Sequence, residues 1–386
     1  MGPARGAAEA GESAHVASLA ALELAGPARL RWLLSRGPAE RTWSELATGR
    51  MPATNDAGGP PREVLAAWRE EARAKPHMPA GMQRWLNALG IRVLTGDERP
   101  TSIRDDVDPS PVVFERGKEL DSQVPRVAVV GTRKATSYGL RVAEQLGRIL
   151  SDAGVAVVSG LALGIDGAAH RGAVAGATPA VAVIGSGHDR PCPSRNRELA
   201  ARLAATGTVI SEVPPGIGSA PWRYPVRNRI IAALAEVVVV VESASTGGSM
   251  STVGEALTRD RAVMAVPGPI GRRASEGCHD LLRDGAEVCS GADDVLMVLG
   301  LRGAAPTSGE RGDRREPDSV TVGRASLSAG TRSVAEMLVE GPMAMDAVMS
   351  RGGLDLATLS AAVSELERAG LVARRGGWLE LTAQPS

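Results

Sequence analysis

The run GTRKATSYG at residues 131–139 places a glycine turn, Gly131, and two adjacent cations, Arg133 and Lys134, where an apolar run, RVAVV, ends and a helix is expected from about Tyr138. Unpaired amides and the positive end of a helix dipole suit an anion at such a point. A tight turn with two solvated charges has the same spelling, so this motif alone leaves a phosphate cradle and a plain turn both open.

A second constellation is PWRYPVRNRII at residues 221–231, which sets Trp222 and Tyr224 beside Arg223, Arg227 and Arg229. The whole chain has only 6 Trp, 2 Tyr and 1 Phe, so two rings in one basic stretch stand out. Aromatic rings stack on bases at about 1–3 kcal/mol each, and guanidinium groups neutralise phosphate and stack as well. That combination suits a single nucleic-acid strand. The competing reading packs both rings inward and pairs the arginines with acids such as Glu212 or Glu242.

The common enzymatic motifs fail on inspection. Gly117-Lys118 lacks both the glycine five residues earlier and the following Ser or Thr of a Walker A loop, which speaks against phosphoryl transfer from ATP. GSGHDR, residues 185–190, supplies two glycines of a dinucleotide fingerprint but not the third, so no cofactor is expected. GGSMS has Ser251 where GxSxG needs its last glycine, and no HExxH occurs. His170 reads as a core histidine, and the side chains of Cys278 and His279, neighbours on a helix, diverge. Cys192, Cys278 and Cys289 show neither a CxxC nor metal-finger spacing, so neither a disulfide framework nor a metal site is expected. No catalytic residue is assigned.

These candidates need a scaffold, and the chain supplies its signature. RVAVV (126–130), VAVVS (155–159), AVAVI (180–184), TVISEV (208–213), VVVVV (237–241) and AVMAV (262–266) are unalternated apolar runs separated by helix-length segments. Such runs are strands buried on both faces of a parallel sheet, in a doubly wound α/β domain. Their following loops all fall at the carboxyl edge of that sheet, including GSGHDRPCPSRN with Ser186 and Gly187, and ESASTGGSMST with Gly248 and Ser249. Between Arg126 and Arg229 thirteen basic residues face six acidic ones, within a chain whose formal net charge is zero. One broad anion-binding edge is expected.

Around this domain, residues 1–57 read as short helices, 58–120 as an irregular connector and 121–300 as the central domain. Residues 301–328 read as a flexible linker, and 329–386 as three helices followed by a hairpin turning at Gly376-Gly377, the outline of a winged helix. Glu23 interrupts the N-terminal Ala/Leu stretch and Glu236 the longest apolar run. Neither signal peptide nor membrane span is expected, and a soluble cytoplasmic protein is.

The series VAVVGTRKATSYG, VVSGLALGIDGAAHRGA, VIGSGHDRPCPSRNREL, SEVPPG, YPVRNRIIA, GGSMSTVGEAL and AVPG, in order over about residues 107–290, closely resembles the DNA-processing protein A family, DprA or Smf. The resemblance implies an extended Rossmann domain, preceded by a small helical SAM-like domain and followed by a winged helix. It implies a non-enzymatic protein that binds and protects incoming single-stranded DNA in natural transformation, loads a RecA-type recombinase onto it, and forms a homodimer. The DNA-contact candidates at matching positions are Gly131, Arg133, Ser186, Gly187, Tyr224, Arg227, Asn228, Arg229, Gly248 and Ser249, with Lys134 beside them. Thr132, Leu163, Cys192 and Tyr224 depart from the Ser, Arg, Tyr and Phe that many members carry. In the terminal unit Asp355, Glu365 and Glu367 against Arg368 make a partner-binding or regulatory module at least as well supported as a duplex reader. The alternative is an enzyme: Gly248 to Glu255 has the spacing of the GGxGTxxE loop of LOG-like nucleotide phosphoribohydrolases, with Glu255 at the acid position.

Overall fold

A computed structural model describes residues 11–52, 59–191, 193–301, 329–339, 343–369, 371–375 and 378–381. Cys192, most of the expected linker and the Gly376-Gly377 turn lie outside the described residues. The chain divides into two compact units, residues 1–304 and 305–386.

Five helices open the first unit: α1 (Glu12–Ala20), α2 (Pro27–Leu34), α3 (Ala39–Ala47), α4 (Arg62–Ala74) and α5 (Met78–Leu89). Prolines in the first turn start α2 and α5, and Gly90 in the left-handed region ends α5. Val64, Leu65, Trp68 and Ala72 form the buried stripe of α4, packed with Leu19, Leu33, Trp43 and Leu46. The same core runs on through β1 (Ile91–Leu94), and past α6 (Thr101–Arg104) to Phe114 of β2 (Val113–Gly117). The stretch 58–120 is therefore not an irregular connector: it holds two helices of the N-terminal layer and two strands.

From Arg126 strand and helix alternate. The elements are β3 (Arg126–Val130), α7 (Ser137–Asp152), β4 (Ala156–Ser159), α8 (Ile165–Val174), β5 (Val181–Ile184), α9 (Arg197–Thr206) and β6 (Thr208–Ser211). Then follow α10 (Arg223–Leu234), β7 (Val237–Val240), α11 (Gly248–Leu257), β8 (Ala262–Ala265), α12 (Arg273–Arg283), β9 (Glu287–Val288) and α13 (Ala292–Val298). All six apolar runs are strands. The sheet order is β1-β2-β6-β5-β4-β3-β7-β8-β9, parallel from β6 to β9 and antiparallel where β2 joins β6 and β1 joins β2.

Each parallel strand from β3 to β8 feeds two cores because its side chains alternate between faces. Val127 and Val129 of β3 face α7, α8 and α9, whereas Ala128 and Val130 face α10, α11 and α12. The chain steps outward from β3 through β4 and β5 to β6, then returns to lay β7 on the other side of β3. The helices after β3 and β7 therefore lie on opposite faces of the sheet, which makes this the switch point where an open α/β sheet usually takes a ligand. Among the described residues no helix is long and apolar enough to cross a membrane, and no cluster of His, Cys, Asp or Glu could hold a metal.

The second unit comprises α14 (Ala329–Val339), β10 (Met343–Ala344), α15 (Met345–Gly352), α16 (Leu356–Arg368), β11 (Val372–Arg375) and β12 (Trp378–Leu381). Its sheet runs β10-β12-β11, antiparallel, over a core of Val334, Val348, Leu359, Val363 and Leu379. Asp355 caps α16 by accepting from Thr358 N at 2.7 Å. This is the expected winged-helix arrangement, with a short additional strand before α15.

Candidate nucleic-acid interface

The loop after β3 and the start of α10 meet. The Arg133 guanidinium lies 4.6 Å from the centroid of the Tyr224 ring, a cation–π stack made by two motifs far apart in sequence. Arg133 and Lys134 are both exposed, and among the described residues neither has an ion-pair partner. Two residues before Tyr224, Trp222 is 53% exposed, with the Arg223 guanidinium 4.9 Å from its ring. Arg223 Nη1 donates to Gly218 O in the loop after β6. Cation and ring are thus paired twice along one sheet edge.

The helix start behind this edge is already occupied. Thr136 is the N-cap of α7 and accepts from Gly139 N at 3.1 Å. Its own amide and hydroxyl donate to the buried Glu242 carboxylate at 2.9 and 2.5 Å, and Thr132 N donates to Glu242 O at 2.7 Å. A side chain at Gly139 would collide with that carboxylate, so glycine admits it. The protein's own anion takes the place that a dinucleotide phosphate takes in many Rossmann domains. Of the two readings left open for this turn, an amide cradle has little to work with: around Thr132 and Thr136 the amides are spent internally, and the Arg133 and Lys134 side chains carry the charge.

The arginines of YPVRNR turn inward. Arg227, 7% exposed, donates through Nη1 to Val183 O of β5, and its Nη2 stands 3.7 Å from Asp166 Oδ2 on α8. Its guanidinium fills the space over Gly160, where any side chain would clash. Burial pushes the Asp166 carboxyl up, with Arg227 opposing. Arg229, 5% exposed, pairs with Glu212 at 2.5 Å and with Asp108 at 3.2 Å. Buried Asn228 reaches Gly248 O at 3.5 Å. Both cations are therefore neutralised by carboxylates, as the competing reading had it for Glu212, and all three side chains position α10.

The remaining candidates divide. Gly131 is partly exposed in the first loop and Gly248 is exposed at the start of α11 with open space beside it. Ser186, Gly187 and Ser249 are buried: Gly187 N donates to Ile217 O at 2.8 Å, and Ser249 Oγ to Ser243 Oγ at 2.8 Å. Glu255, the acid of the hydrolase alternative, accepts from Arg259 Nη1 at 2.6 Å, and Arg259 is itself fixed by Asp106. Cys278 is buried and its thiol is pushed up to about 11, while His279 Nε2 lies 2.9 Å from Gly268 O, so no dyad forms. Asp166 sits in GIDGAAH and Glu242 follows VVVVV, yet nothing in either run marks it as an acid that organises this edge.

His170 lies on α8 at 0% exposure, and burial pushes its ring down from 6.5 to about 4. The unfolded chain therefore binds a proton between those values that the native state refuses, and stability falls on acidification from pH 6.5 to 4. The upper bound is about 3 kcal/mol for this residue. Asp166 and Glu212, pushed up by burial, act with the opposite sign, so a difference measurement is needed. His170→Gln is expected to flatten the acid limb of the stability profile in urea titrations. An identical limb in the two proteins would refute the assignment.

Residues 91–300 match the family described as DNA recombination-mediator protein A, more than half of the chain. The chain belongs to the DprA family. Residues 321–377 match the DprA winged helix domain. A Mycobacterium tuberculosis chain carrying the DprA name is 42% identical over 267 residues, 68% of this chain and 67% of the relative. A DNA processing protein DprA of Bacillus subtilis is 33% identical over 237 residues, 61% of this chain and 74% of the relative. The crystal structure of DNA processing protein A from Streptococcus pneumoniae superposes with a TM-score of 0.60 at 28% identity, covering 74% of this chain and 97% of that one. Within the DprA framework the matched segment begins at β1. The two antiparallel strands thus belong with the Rossmann sheet.

Proposed function

We propose that the chain binds single-stranded DNA along the carboxyl edge of its sheet, protects incoming DNA in natural transformation and recombination, and passes it to a RecA-type recombinase. The observation that carries the reading is the Arg133–Tyr224 stack with Lys134 beside it, a plate of free charge and ring surface at the switch point. A base stacks on the guanidinium or ring plane, and phosphates meet Arg133 and Lys134. Eleven positions carry the proposal. Gly131, Arg133, Lys134, Tyr224 and Gly248 face the strand, while Arg227, Asn228, Arg229, Ser186, Gly187 and Ser249 shape the edge from within. The action is binding without covalent chemistry and without a cofactor. The homodimer and the recombinase partner come to this reading from the family resemblance.

Titration of a labelled oligonucleotide at two salt concentrations tests it. Each neutralised phosphate contributes roughly 0.7 to the negative log–log slope for a single strand. Arg133→Ala is expected to lower affinity for every sequence alike and to reduce the slope by about 0.7. Binding insensitive to salt, or equal for blunt duplex and single strand, would overturn the proposal. Incubation with AMP is expected to release no adenine; release would favour the hydrolase reading at Glu255.

A further inference from the structure

Of the aromatic residues in the first unit, Trp32, Trp43, Trp68 and Phe114 are buried and Tyr138 donates its hydroxyl to Pro267 O at 3.0 Å. Three remain at the sheet edge: Tyr224, Trp222 and Trp85. Trp85 lies on α5, outside the matched family segment, and is 43% exposed. Its indole lies against Gly216 so closely that a side chain there would overlap the ring. Gly216 belongs to the loop after β6, and two residues on, Gly218 O receives the Arg223 guanidinium that stacks on Trp222. Two residues of extended backbone span at most about 7 Å, so the Trp85 ring and the Trp222–Arg223 pair are neighbours along the edge.

Trp85 also forms the wall of an open groove of about 520 Å³, which it shares with Lys75, His77, Met78, Met82 and Arg84. Arg84 is exposed and has no ion-pair partner among the described residues. Lys75 bridges Glu71 at 2.8 Å yet keeps 56% of its side chain exposed, and the other Glu71 oxygen accepts from Glu23 N at 3.1 Å. The groove thus pairs an exposed indole with cations and has no free carboxylate on its wall.

We infer that this groove is a second stacking station for the same single strand, so that the DNA path runs from the Arg133–Tyr224 plate past Trp222–Arg223 onto the N-terminal helical layer at Trp85 and Arg84. The occupant is a polyanion with ring faces because the groove continues an edge of that chemistry and repeats its ring-plus-cation pattern. This rests on the reading of the edge given above. A strand too short to leave the edge ignores the groove, whereas a longer one gains a stacked base and a phosphate contact there.

Oligothymidylates of about 3 and about 20 nucleotides separate the two stations. Trp85→Ala is expected to weaken the longer strand about 10-fold and leave the shorter unchanged, with Trp85→Phe restoring most of the loss. Arg84→Ala is expected to reduce the salt slope by about 0.7 for the longer strand alone. If Trp85→Ala does not fold, Arg84→Ala and Arg84→Glu decide. Equal losses on both lengths, or no loss on the longer, would overturn the groove while leaving the edge reading intact if the shorter strand still depends on Arg133. A wild-type protein that binds neither length overturns both.

Discussion

Arg227→Ala is expected to unfold the first unit rather than to strip a contact from DNA. The guanidinium is 7% exposed, donates to Val183 O, and is the cation that faces the buried Asp166. Removing one partner of a buried ion pair costs about 3–5 kcal/mol because the other charge is left uncompensated. A domain of ordinary stability has roughly 5–15 kcal/mol in all, so the urea midpoint should drop steeply. The double variant Asp166→Asn with Arg227→Met should recover much of the loss, since it removes both charges and keeps apolar volume over Gly160. An Arg227→Ala protein with the parental midpoint but without DNA binding would sink this account and return Arg227 to the ligand.

Tyr224→Ala is expected to weaken single-stranded DNA by one to two orders of magnitude with the fold intact. Tyr224 is partly exposed and sits at the start of α10, ahead of the buried residues that anchor the helix. Its loss removes a stacking surface of about 1–3 kcal/mol and also the ring that holds the Arg133 guanidinium, so the cation becomes mobile. Tyr224→Phe keeps the ring and should bind as the parent does. Fluorescence anisotropy on all three proteins, with thermal unfolding beside it, measures both effects. Parental affinity in Tyr224→Ala would remove the plate from the mechanism.

How much of this was legible depended on how far each signal reaches along the chain. A parallel strand buried on both faces must be apolar at every position, so RVAVV and its five counterparts announce themselves locally. By contrast β1, with Arg92 between Ile91 and Val93, and β2, with its charged end, exist through pairings such as Ile91↔Arg116 and Phe114↔Ser211. Nothing within residues 58–120 indicated those partners. β9, two exposed residues long, was equally invisible.

The site divides in the same way. Its residue types, guanidinium groups and rings in glycine-lined loops at strand ends, follow from the sequence, because a doubly wound sheet brings those loops to one edge whatever the side chains do. The direction of each charge does not follow. In YPVRNRII the arginines lie on the stretch of α10 from Arg227 to Leu234 where every residue is buried, and only the approach of Asp166, Glu212 and Asp108 turned Arg227 and Arg229 inward. Only the return of β7 beside β3 delivered Glu242 to the start of α7. By itself the sequence determined the six apolar strands at the centre of the sheet, the family and the chemistry on offer at the edge. Tertiary structure alone decided which cations stay free for a polyanion, because a charge is neutralised by whichever carboxylate the fold brings near it, and those carboxylates lie far away along the chain.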